Sequence, residues 1–183
     1  MKNKPELILP KDIEEAVLEN KKNKVEKDIW HFQPNIEGAE EIKIKNIDDF
    51  NSIKNPEMTL FGFVYLIENL ENGRKYVGKK QLISRRRVKK GKKELARIKD
   101  KRKSKYKTTT KESNWITYTG SNRELNSDIE KGDRIKKHIL ALAYDSSTLT
   151  YFEVKYQFIF EVLETPEYYN GNILGRLFNQ YKQ

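Results

Sequence analysis

Apolar and polar positions alternate along this chain in short stretches that turn residues separate. Behind Pro10-Lys11-Asp12, the residues Ile13, Val17, Leu18, Val25 and Ile29 make a sparse stripe at loosely helical spacing. Glu41 to Lys45 alternates like a short strand, and Asp48 is placed to cap a short helix through Phe50 and Ile53. Asn55-Pro56 breaks the pattern. From Thr59 to Ile67 the chain is dense in β-branched and aromatic residues, which fits a buried strand. Asn69 to Gly73 supplies turn chemistry, with Asn72-Gly73 a strong hairpin signal, and Lys75 to Gly78 reads as the returning strand. Trp115 to Gly120 is short and aromatic. Ser121 with Glu124 then makes a capping-box pattern for a helix to about Lys131, which Gly132 ends. Ile135 to Ala143 fits a third strand. Ser146 or Ser147 can cap a helix to about Glu164, ended by Pro166, and Ile173 to Phe178 is a short apolar piece near the end. The order β-β-α-β-α predicts an α/β (α+β) domain with a small mixed β-sheet and flanking helices.

Composition narrows the function classes. The chain has 183 residues, 36% of them apolar and 11% aromatic, which allows one packed domain with an extension or two very small domains. It has no Cys, which excludes disulfides, thiolate metal sites and a Cys nucleophile. Its two His, His31 and His138, argue against a His-based metal centre or a Ser-His triad, and no spacing gives His138 a role in catalysis. No apolar run approaches the ~18 residues of a membrane span, and the N-terminus carries no apolar signal core. A soluble, cytoplasmic chain is expected.

The net charge of +10 is unevenly spread. Residues 1–60 hold 10 basic and 13 acidic side chains, whereas 61–183 hold 27 and 14. Between Arg74 and Lys111, 19 basic residues face only Glu94 and Asp100. With the break at Asn55-Pro56, this predicts an acidic, partly helical extension over residues 1–57, with room for a protein partner. The domain proper is expected over 58–183, with a basic insertion at 85–111. Such a run suits a solvated loop or a polyanion, and binding to the latter would depend steeply on salt. It lacks the regular apolar stripe of a membrane-surface helix.

Some residues stand out as chemistry. Leu149, Tyr156, Phe160 and Leu163 recur at helical spacing with Glu153 in the same stripe. A carboxylate on such a face either reaches solvent, pairs with a cation or binds a metal, and a lone carboxylate suits Mg²⁺ with water and phosphate completing its shell. Tyr65 and Tyr76, eleven residues apart, flank the turn and can meet on one sheet face, as core or as site residues. Gly78 permits close backbone approach to another group, such as a phosphate. Tyr118 and Gly120 fit either a substrate groove or a turn ahead of the helix.

Gly62 to Lys80, GFVYLIENLENGRKYVGKK, resembles the two-part signature of the GIY-YIG nucleases, with Phe63-Val64-Tyr65 and Tyr76-Val77-Gly78 in its two halves. The likeness extends over about residues 59–175 and is nearest the phage-encoded, free-standing Seg-type branch. Phe63 stands where the signature has Gly, and Val64 and Val77 replace Ile. The resemblance implies a metal-dependent DNA endonuclease, nicking or cutting both strands, as a monomer or homodimer. It further implies an Arg on a helix, about ten positions beyond the second Tyr, which selects Arg86, with Arg85 and Arg87 adjoining. It implies Glu153 as the ligand of Mg²⁺, with Mn²⁺ as a substitute, and Asn170 as the residue that orients either that Glu or the hairpin. Arg86 would stabilise the phosphoryl oxygens. Tyr65 would be the candidate general base, Tyr76 shaping the site, although which Tyr takes the proton stays open. Gly78, Lys79, Lys80, Arg85, Arg87, Lys89, Lys90, Lys92 and Lys93 would contact DNA. The alternative is a non-catalytic nucleic-acid-binding protein on the same fold.

Overall fold

Segments rich in β-branched and aromatic residues pair into one mixed sheet. The computed structural model describes residues 27–34, 39–97, 102 and 104–178. In chain order these form β1 (Trp30–Phe32), β2 (Ile42–Ile44), a 3-10 turn (Asp48–Ser52), β3 (Gly62–Asn69) and β4 (Lys75–Gln81). Then follow β5 (Ile83–Lys89), α1 (Lys92–Ala96), β6 (Tyr106–Glu112) and α2 (Arg123–Lys131). The chain continues with β7 (Ile135–Ala143), α3 (Ser146–Ile159) and a small hairpin of β8 (Asn172–Ile173) and β9 (Leu177–Phe178). The five-stranded sheet has the order β2-β1-β7-β3-β4; β1 runs parallel to β7 and the other neighbours are antiparallel. This is the mixed α+β architecture the pattern predicts.

Each sheet face buries its own core. Trp30, Phe63, Tyr65, Ile67 and Ile139 pack on one side with Phe50, Trp115 and Leu125. Val64, Val77 and Ala143 pack on the other against Leu149 of α3, Val162, Tyr168 and Ile173. The alternation along β3 is thus apolar on both sides, as a strand between two layers requires. Trp30 is fully buried, and its indole N–H donates to Trp115 O (3.0 Å). Trp30, Ile44 and Phe50 therefore share the core of the sheet, although they precede the break in charge and composition near residue 57. The helical stripe from Ile13 falls outside the described residues up to 26, and Lys27-Asp28 form a turn.

Three boundaries differ from the pattern. Asn122 caps α2, its Oδ1 accepting from Leu125 N–H (3.0 Å), while Glu124, expected to close a capping box with Ser121, pairs with Arg74. Asp145 caps α3 in place of a serine, accepting from Thr148 N–H (2.8 Å). That helix stops at Ile159, before Glu164, because Glu161 enters a positive φ (50°) and turns Val162 into the core.

β5 and β6 leave the five-stranded sheet. β5 and β6 pair only with each other, and all residues of both strands are exposed. The described part of the basic insertion is a two-stranded ribbon with α1 following β5. Among the described residues no helix is long and apolar enough to cross a membrane.

Candidate active site

The hairpin register explains the tyrosine spacing. Tyr65 on β3 lies opposite Gly78 on β4, and Ile67 lies opposite Tyr76. Both tyrosines therefore project from one face, their ring centroids 6.2 Å apart. A Cβ built on Gly78 would stand 2.6 Å from the Tyr65 hydroxyl oxygen, so the missing side chain makes room for that phenol. Gly120, at φ +90°, makes the same allowance for Tyr76, whose Cε1 would lie 2.8 Å from an added Cβ. The two rings are clasped between glycine backbones. Gly78, expected to admit a phosphate, is filled by Tyr65.

The two tyrosines differ in access. Tyr65 is 1% exposed and sits among Trp30, Tyr76 and Tyr118. Burial pushes its phenol well above the ordinary value, which keeps it protonated. That opposes the general-base role expected of it. Tyr76 lines an open cleft, with its hydroxyl 3.2 Å from Ser121 Oγ. Its phenol is also raised, chiefly by burial, and partly offset by the Ser121 contact.

That cleft, about 650 Å³ and mainly polar, lies along the outer edge of β4. α3 brings Glu153 and Gln157 to one wall, four residues apart on the same helical face. α2 supplies Arg123 at its first position, and the segment before β8 supplies Asn170. Lys79 reaches in from β4. Its amine lies 2.9 Å from a Glu153 carboxylate oxygen and donates to Thr150 Oγ1 (3.0 Å). Asn170 is buried and holds β4 with both ends of its amide: Oδ1 accepts from Val77 N–H (2.9 Å) and Nδ2 donates to Val77 O (2.8 Å). Of the two partners considered for Asn170, the hairpin is the one it touches. This clamp satisfies backbone groups that a sheet edge would otherwise leave unpaired.

The donors at the cleft wall suit a divalent ion in an open site. Among the described residues no three His, Asp or Glu side chains converge, so a closed all-protein site is not built. Glu153, with 16% of its side chain exposed, offers a carboxylate at the cleft wall. One turn on, Gln157, which also lines the cleft, is buried and its Oε1 has no hydrogen-bond partner, an orphaned acceptor. One carboxylate with neutral oxygens fits Mg²⁺, which keeps several waters and takes phosphate oxygens.

Of the residues expected to form the site, Tyr76, Glu153, Asn170 and Lys79 come together here. Arg86 does not join them. It lies on β5 in a separate groove with Lys80 and Lys111, because the ribbon is inserted where the spacing assumes a helix. The first helix to follow the hairpin at the cleft is α2, and its leading cation is Arg123. Motif spacing does not reach Arg123, which sits 47 positions beyond Tyr76; the Asn122 cap just before it is the available signal. Gln157, in register with Glu153 at i+4, is likewise a site residue that the motif does not mark. Lys80 points the other way from Lys79, its amine 3.6 Å from the Tyr118 ring centroid. Arg85, Arg87, Lys89, Lys92 and Lys93 are exposed on the ribbon and α1, and Lys90 is half-buried between them. His138 lies on β7 beside His31, away from the cleft.

Comparison with known proteins finds a family model described as "Putative endonuclease segE, GIY-YIG domain", which matches residues 47–173. No curated protein and no solved structure matches the chain.

Proposed function

Since the chain belongs to the family of SegE-type GIY-YIG endonuclease domains, we propose that it hydrolyses phosphodiester bonds of DNA, using a divalent metal ion held at Glu153. The observation that carries this reading is the convergence of Glu153, Lys79, Arg123 and Tyr76 on one polar cleft. Phosphodiester hydrolysis needs an attacking water, neutralisation of charge on the phosphoryl oxygens and help for the leaving oxygen. A Mg²⁺ ion bound at Glu153, or Mn²⁺ in its place, supplies Lewis acidity to the phosphate and its leaving oxygen.

The chain's own residues divide the remaining work. Arg123 at the cleft rim binds the phosphoryl oxygens, its planar guanidinium suited to two of them at once. Lys79, paired with Glu153 in the free protein, donates to the phosphate once substrate is present. Tyr76, with its hydroxyl protonated at neutral pH, orients the water or a phosphate oxygen through Ser121. Tyr65 packs beneath Tyr76 and fixes its ring. Asn170 holds the edge of β4 on which Lys79 and Tyr76 stand, a positioning role. One such site cuts one strand, so a double-strand break requires two copies or two successive nicks.

The test is nicking of supercoiled plasmid in Mg²⁺ by the full chain, its Glu153→Ala variant, and the full chain in EDTA. Nicking by the wild type alone is expected. Equal nicking by the variant, or nicking that persists in EDTA, overturns the assignment.

A further inference from the structure

The ribbon's charge is arranged, and the arrangement has a direction. In an antiparallel pair, residues directly opposite share a face. Arg86 lies opposite Thr109 and Ser84 opposite Lys111, so these four share one face; Arg85 and Arg87, opposite Thr110 and Thr108, share the other. The first face does not stand free. With Lys80 from the end of β4 and Asn114 beyond β6, it encloses a groove of about 540 Å³. Lys80 donates to Asn114 Oδ1 (2.8 Å), which holds one wall of the groove. The carboxylate at the rim, Glu112, is turned to the Trp115 indole N–H (2.8 Å). Arg86, Lys80 and Lys111 remain as the groove's cations, with hydroxyls of Ser84 and Thr109 between them.

The groove has a fixed relation to the cleft. Tyr76, which lines the cleft, and Lys80, which lines the groove, project from the same face of β4. They are four residues apart, about 13 Å at strand rise. That is about four base-pair steps of a duplex, at ~3.4 Å per step. A duplex with its scissile phosphate in the cleft can therefore extend along β4 into the groove. The opposite face offers a similar formal charge in Arg85, Arg87 and Lys89, but among the described residues these line neither the groove nor the cleft, and Arg87 stacks on the Tyr106 ring (5.2 Å) instead.

We propose that the groove between the ribbon's Arg86 face and Lys80 is a second DNA subsite, which grips the phosphate backbone of the duplex flanking the cleavage position. The inference rests on the nuclease reading for its substrate, and it assigns Arg86 to binding at a distance from the reacting phosphate. Directional contact, as opposed to diffuse attraction, predicts that removing equal charge from the two faces has unequal effects.

The test compares Arg86→Ala/Lys111→Ala with Arg85→Ala/Arg87→Ala in the full chain. Binding to a fluorescein-labelled DNA duplex is read by anisotropy in EDTA, over a range of salt. All four residues are exposed, so neither variant threatens the core. The first pair is expected to weaken binding about tenfold or more and to lower the log–log salt slope by about 2, one for each phosphate no longer neutralised. The second pair is expected to weaken it less than about threefold, with the slope nearly unchanged. Equal weakening by the two pairs, or a larger effect from Arg85 and Arg87, overturns the subsite. Because binding is read without cleavage, a wild type that binds in this pattern yet never cuts leaves the subsite standing and fails the nuclease reading alone. A wild type that cuts, with both pairs equally weakened, does the reverse.

Discussion

Gly78 and Tyr65 occupy one register position, and that pairing is the physical content of the spacing between the two tyrosines. The eleven-residue interval is legible in the sequence, but the register is not that of a two-residue Asn-Gly turn, which would set Tyr65 opposite Lys80; a longer loop, closed by Gly73 N–H donating to Asn69 O (2.9 Å), sets Tyr65 opposite Gly78. Which tyrosine meets solvent is not legible there. Both stand on the same face of the sheet, and only the packing of Trp30 and Tyr118 over Tyr65 separates them. Removing the Tyr76 hydroxyl takes a polar group out of the cleft, whereas removing that of Tyr65 takes one out of the core. Tyr76→Phe, which removes one positioned hydrogen-bond donor, is therefore expected to lower the nicking rate about 10²-fold with little effect on stability. Tyr65→Phe, which gives up the buried hydroxyl's hydrogen bond to Tyr118, is expected to lower unfolding stability by about 1 kcal/mol and the rate by less than Tyr76→Phe. Urea unfolding and single-turnover nicking of the two variants check this, and a larger fall in rate at Tyr65 contradicts it.

At the scale of elements, β3, β4, β7 and α2 follow from local pattern: a β-branched run, a turn and a Gly-terminated helix. The ribbon does not. Arg, Lys and Thr between residues 85 and 111 show no apolar alternation, since neither face of the ribbon is buried, and a strand exposed on both sides carries no period-2 signal. The same insertion displaces Arg86 from the role its spacing implies. Counting ten positions from Tyr76 assumes that a helix follows the hairpin, but β5, α1 and β6 intervene before the chain returns to the cleft at Arg123. The early end of α3 has a similar cause. Leu163 continues the helical stripe on paper, but Val162 is taken into the core by the turn at Glu161.

For the molecule as a whole, the charge imbalance does not track the core. Trp30 and Ile44 lie within the acidic part of the sequence yet are fully buried in the same sheet as β3. The sheet also buries a cation that no pattern singles out. Lys137 on β7 is 1% exposed, donates to Ile116 O (2.6 Å) and lies 4.4 Å from the Trp30 ring centroid. Burial lowers its amine to about 7, from an ordinary value of 10.5, with Asp28 opposing the shift. Between those values the unfolded chain holds more protons than the folded one, so this residue makes stability rise as pH rises from about 7 towards 10. Urea unfolding of the wild type and Lys137→Met across that window should show the wild type gaining on the variant as pH rises; parallel profiles contradict it. Whether the β4-edge cleft is the catalytic site, with Arg123 as its phosphate-binding arginine, is decided by plasmid nicking at saturating protein with Arg123→Ala and Arg86→Ala. Removing one oxyanion-stabilising donor predicts a fall of about 10²–10³ for Arg123→Ala, and less than about tenfold for Arg86→Ala, whose defect lies in binding. The reverse order, with Arg86→Ala the more damaging at saturation, would move the chemistry to the ribbon groove and contradict the cleft assignment.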